Sequence, residues 1–219
     1  MLYKEWIKTR WYLLAAFAVL GGFAGYALVK LHRAAALMGA GHIWEVMVTR
    51  NAVFIDQMEY LPLLVGLLLA AVQFVPEMQR KCLKLTLHLP VPALATLTAM
   101  AGCGTAALLL LFGLCILLLA AGASPVLPHE LVWNILSTAL PWCLAGMAAY
   151  LFGAWTILEP TWKRRLVNIL MSVLLLRIYF LAPGPRAYGG FLPVLALLTL
   201  ASAALSWLSV VRFMAGRQD

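Results

Sequence analysis

Residues 93–123, ALATLTAMAGCGTAALLLLFGLCILLLAAGA, run without a single charged side chain. A transmembrane helix needs about 20 predominantly apolar residues. The run is long for one span and short for two spans with a turn between them, so it reads as one tilted helix. The whole chain agrees with that reading. Of its 219 residues 64% are hydrophobic and 11% charged, against about 25% charged in a soluble domain. The composition predicts an all-α integral membrane protein of one domain.

Working outward, the apolar runs divide the chain into six spans at about 11–29, 60–75, 93–121, 131–158, 166–182 and 191–211. Residues 1–10, MLYKEWIKTR, alternate apolar and charged positions at helical spacing and read as an interfacial helix, with Trp6, Trp11 and Tyr12 at headgroup depth. This is not the pattern of a cleavable signal peptide. Residues 30–59 form a long polar interruption with balanced charge. Residues 122–130 and 183–190 are turn-rich loops, and Thr161–Arg165 is strongly basic. Gly21 and Gly25 have the four-residue spacing of small-residue helix packing.

Charge sets the orientation. With the N-terminus inside, the inner segments carry eleven Lys and Arg residues and the outer segments four, Lys30, Arg33, Arg50 and Arg186. Basic residues are retained on the cytoplasmic face, so both termini are expected in the cytoplasm of an inner-membrane protein. The formal charge of +8 sits in short loops rather than in a stripe interleaved with exposed aromatics, which argues against a nucleic-acid partner. The four cysteines have no C-x-x-C spacing, and the four histidines are scattered. We expect no metal site and no disulfide framework. No Walker A, H-E-x-x-H, G-x-S-x-G or G-x-G-x-x-G pattern is present, so no catalytic residues and no enzyme activity are expected of this chain.

Just before the charge-free run lies residues 76–92, PEMQRKCLKLTLHLPVP. Glu77, Arg80, Lys81 and Lys84 fall within eight residues, bounded by Pro76 on one side and Pro90 and Pro92 on the other. Glu77 and Arg80 share a helical face. An ordinary cytoplasmic loop would be basic too. The order Glu77, Arg80, Thr86, Leu89, Pro90, Val91 resembles the segment ahead of the third span in permease subunits of the type-2 ABC exporter superfamily, with Leu85 where a glycine usually precedes the threonine. The resemblance implies a six-span permease whose residues 77–90 form a coupling helix, with Glu77, Arg80, Lys81, Lys84, Thr86 and Pro90 facing a cytoplasmic ATPase. It also implies two copies of a separate ATPase subunit that binds ATP and Mg, no cofactor in this chain, and a second permease copy or a paralogous permease, with Gly21 and Gly25 of the first span as candidates for the dimer interface. A scaffold or assembly factor without a transport cycle is the alternative.

Arg177 stands alone in the fifth apolar run. It either snorkels to the outer headgroups past Tyr179, or pairs with an acidic outer-segment residue or meets an anionic substrate; the family resemblance implies a place near the translocation path.

Overall fold

The computed structural model describes residues 2–49, 54–79, 93–182, 184 and 186–214. Among the described residues the chain is helical throughout, with no strand. The α-helices are α1 (Leu2–Thr49), α2 (Leu61–Gln79), α3 (Ala93–Ala123), α4 (His129–Leu158), α5 (Trp162–Arg177) and α6 (Leu192–Met214). Short 3-10 turns occupy Asp56–Met58 and Ile178–Phe180.

Five of these helices are long and apolar enough to cross a membrane, over Tyr3–Gly39, Asp56–Gln79, Leu94–Ala123, His129–Leu158 and Leu192–Arg212. The chain is an all-α membrane protein. The count differs from the six spans read from sequence because of α5. That helix has 16 residues and places Lys163, Arg164 and Arg165 in its first turn rather than in a preceding loop.

Two further segments differ from the sequence reading. Residues 2–10 are not a separate interfacial helix but the start of α1, since no glycine or proline interrupts the chain before Gly21. At its other end α1 continues through Lys30 and Arg33, because Leu31 and Ala34–Ala36 are good helix formers. α1 is two helices joined across a kink at Gly39, and its stretch Tyr3–Gly39 alone has 37 residues, about 55 Å of helical rise, more than a bilayer core of about 30 Å. Its path bends at Gly39, whose φ of 79° and ψ of 157° a side chain would resist. The second difference is at Pro76, which does not end α2. The helix passes through it to Gln79, because a proline so near the C-terminus removes one backbone bond from a turn that is already ending.

α4 is the hub. Its small residues, Ala145, Gly146, Ala148, Ala149, Gly153 and Ala154, are buried and let neighbours approach closely. The tightest crossing joins Gly66 of α2 to Gly146 of α4, where a methyl group at Gly66 would overlap the Gly146 carbonyl. One core fills the space among α1, α2, α3 and α4 around Leu20, Leu69, Phe74, Leu108 and Tyr150. A second, smaller core joins α4 to α6 and the 178–180 turn through Phe152, Tyr179, Tyr188 and Leu195. The outward sides of α3 (Leu110, Leu114, Leu117) and α5 (Leu170, Val173, Leu174) are exposed and apolar, as lipid-facing surfaces are.

Candidate functional site

α1 begins where α2 ends, and their meeting brings four charges together. Glu77 is buried, and its Oε1 receives Lys4 Nζ at 2.8 Å and also Lys8 Nζ. Lys8 reaches back to Glu5 Oε1 at 3.1 Å, one turn away on the same face. The cluster holds two ammonium groups and two carboxylates and is therefore neutral. A buried ion pair is best sustained when its remaining hydrogen-bonding capacity is met; Glu77 Oε2 is buried without a partner among the described residues, and the Glu5 side of the cluster is met by Gln73. Its Nε2 donates to Glu5 Oε2 at 2.9 Å and to the Met100 carbonyl at 2.8 Å. Its Oε1 accepts the Tyr150 hydroxyl at 2.8 Å. Gly104 makes room for that ring, since a methyl group there would collide with the Tyr150 hydroxyl.

One connected network thus ties α1 (Glu5, Lys8), α2 (Gln73, Glu77), α3 (Met100) and α4 (Tyr150) at the same end of the molecule. Replacing Tyr150 by Phe leaves Gln73 Oε1 without that donor. Hydrogen bonds between membrane helices average about 0.6 kcal/mol and reach about 1.7. We expect Tyr150→Phe to cost about 1 kcal/mol, read as a lowered unfolding midpoint in mixed micelles.

A second clasp closes the other half of the same end. Glu159, fully buried after α4, accepts the Thr161 hydroxyl at 3.1 Å on Oε1. On Oε2 it accepts the Ser209 hydroxyl at 2.6 Å and Arg212 Nη1 at 3.3 Å. Arg165 Nη2 donates to the Glu159 backbone carbonyl at 2.8 Å. α4, α5 and α6 are joined there as α1 to α4 are joined at Glu77.

These placements bear directly on the residues singled out in the sequence. Glu77 belongs to α2 and turns inward to Lys4 and Lys8. Arg80, Lys81, Lys84, Thr86 and Pro90 lie outside the described residues. Gly21 and Gly25 have open space where a side chain would project, and among the described residues no neighbour fills it. Arg177 is the last residue of α5, exposed, and lines a cavity of about 580 Å³ between α2, α4 and α5. Sequence reasoning passed over Glu5, Lys8, Gln73, Tyr150 and Glu159. The available signal was Gln73, the one polar side chain between Leu61 and Val75, and Glu159 standing at the end of an uncharged run.

Fold and clasps together define a class, a polytopic helical membrane protein whose helices are fastened by buried ion pairs at one end. No protein-family model, curated protein or solved structure matches the chain.

Proposed function

We propose that this chain is the membrane-spanning permease subunit of an ATP-driven exporter of the ABC type-2 kind, moved by a separate ATPase. The observation that carries the reading is the position of Glu77. The strongly basic segment 80–92 leaves α2 two residues beyond it, and Glu77 is fastened to α1, which Gln73 fastens in turn to α3 and α4. A load applied to 80–92 would therefore reach four helices at once rather than bend one loop. That is the mechanical requirement for turning ATP binding in a partner into a shift between helix arrangements, with the differential binding energy supplied by ATP.

In this reading α5 and the 178–180 turn make a sixth span. Together they have 19 residues, about 28 Å of helical rise, close to the thickness of a bilayer core. Both termini and the 80–92 segment lie in the cytoplasm, and the protein sits in the inner membrane. The subunit pairs with a second copy or a paralogous permease, for which the open Gly21 and Gly25 face is available, and binds two ATPase subunits carrying ATP and Mg.

Topology is the first check. Ser124→Cys and Ala187→Cys, both at exposed positions, are expected to react with a membrane-impermeant maleimide from outside the cell, and labelling of both only after permeabilisation would reverse the orientation. Function is tested by purifying the chain in nanodiscs with whatever it carries from its native membrane. A permease brings Mg-dependent ATP hydrolysis that Lys81→Glu/Lys84→Glu removes while the chain itself is recovered in full. A scaffold without a transport cycle brings no such activity, or activity indifferent to those two charges.

A further inference from the structure

The cavity beside Arg177 does not stand alone. A second one, of about 250 Å³, lies toward the other end of the same helices and is lined by Met78, Gln79 and Arg165. The two share Thr156 of α4 and Ile169 of α5 as lining residues, so they form one groove with a waist. The groove exists because α5 packs on α4 and stands away from α2. Its bottom is α4, its sides are α2 and α5, and its open side is flanked by the exposed apolar side chains of Leu67 and Val173, the kind of surface that lipid covers. Arg165 and Arg177 are twelve residues apart on α5, about 18 Å by helical rise, and mark its two ends.

The lining is chemically divided. Leu63, Leu67, Phe152, Val173 and Leu176 make the larger cavity apolar, while Thr156 and Ser172 place hydroxyls partway along it. At its mouth Tyr60 stacks on Phe180 with ring centroids 5.1 Å apart, beside Arg177. Among the described residues Arg177 makes no ion pair, although the side chain reaches the cavity. Among the described residues neither Asp nor Glu lines either cavity. A volume of about 580 Å³ lies within the range of small-molecule sites, about 300–1,000 Å³. A neutral lipid chain would fill the apolar wall and leave the guanidinium unmatched. A soluble anion would match the guanidinium and leave the apolar wall wet. An occupant with an anionic headgroup and an apolar chain satisfies both, and a groove open to the bilayer is where such a molecule enters.

We propose that the α2/α4/α5 groove is a binding site for an anionic lipid, entered from the bilayer, with the headgroup on Arg177 and the chain against Leu67, Phe152 and Val173. It rests on the permease reading only if the lipid is to be called cargo. Binding itself requires no ATPase.

The test uses the full chain in nanodiscs of phosphatidylcholine containing a minor fraction of phosphatidylglycerol, with the lipids that stay on the protein counted by native mass spectrometry. Wild type is expected to retain phosphatidylglycerol over phosphatidylcholine by roughly tenfold relative to the bilayer, the scale of one charge-assisted hydrogen bond. Arg177→Gln should abolish the preference and Arg177→Lys should keep most of it. Ile169→Trp, which fills the partly exposed waist, should lower retention of both lipids. Absence of preference in wild type, or an unchanged preference in Arg177→Gln, overturns the proposal. Should Arg177→Gln fail to fold, unchanged retention in Ile169→Trp overturns it equally. Efficient disulfide-linked dimers of Val173→Cys would assign the groove to a second copy and likewise overturn it. Loss of ATPase association leaves all these readouts in place, so the two readings fail separately.

Discussion

Gly66→Val is expected to cost the protein roughly 3 kcal/mol, the upper part of the range for overpacking a tight interior. A methyl group at Gly66 points at the backbone carbonyl of Gly146, and backbone cannot step aside as the tip of a side chain can. α2 and α4 must then separate, and with them the closest helix pair in the hub. Gly146→Val should act similarly, because the backbone of Pro62 faces it from α2. Gly113→Ala is the control. It sits on α3 with open space around it, and alanine is the better helix former by about 1 kcal/mol, so it should be neutral or slightly stabilising. Unfolding midpoints in mixed micelles decide the matter. Equal midpoints for Gly66→Val and Gly113→Ala would mean that the α2–α4 crossing is not as close as described.

Glu77→Ala is the second large effect. Removing one partner of a buried ion pair ordinarily costs about 3–5 kcal/mol, since the other charge is left uncompensated. Here the lysines can respond. Lys4 is 44% exposed and Lys8 20% exposed, so both can swing toward water and headgroups. We therefore expect about 1–2 kcal/mol rather than the full penalty. Lys8→Met should cost less in the Glu77→Ala background than alone, with a coupling of about 1 kcal/mol in a double-mutant cycle. Additive effects would show that Lys8 and Glu77 are neighbours without being partners. Glu77→Lys places a third ammonium among Lys4 and Lys8 and should loosen this end of the bundle further; under the permease proposal it would also uncouple hydrolysis in the ATPase from helix movement.

The membrane character of the chain was legible in the charge-free run of α3, because burial in lipid leaves its mark on every residue of a span. The clasps were not legible. Gln73 meets Glu5 and Tyr150 across 68 and 77 residues, and no periodicity within a single helix encodes such a pairing. Local charge pattern was misleading for the same reason. Glu77 and Arg80 stand three apart on one helical face, and Glu77 turns inward to Lys4 and Lys8, while Arg80 lies outside the described residues. The basic run Lys163–Arg165 looked like a loop and is the first turn of α5, where Arg165 bonds the Glu159 carbonyl. Polarity does not mark the end of a helix, as the continuation of α1 beyond Lys30 also illustrates. The groove beside Arg177 was half legible. A lone arginine in an apolar run drew notice, but the cavity depends on α5 standing apart from α2, a tertiary fact.

The account turns on whether segment 80–92 receives an ATPase. Native mass measurement of the complex purified through a tag on this chain tests it most directly. The account predicts two permease chains, or this chain with one paralogue, together with two ATPase subunits, and loss of the ATPase mass alone in Lys81→Glu/Lys84→Glu. A complex that contains no ATPase, or one that keeps it undiminished after both charge reversals, would contradict it.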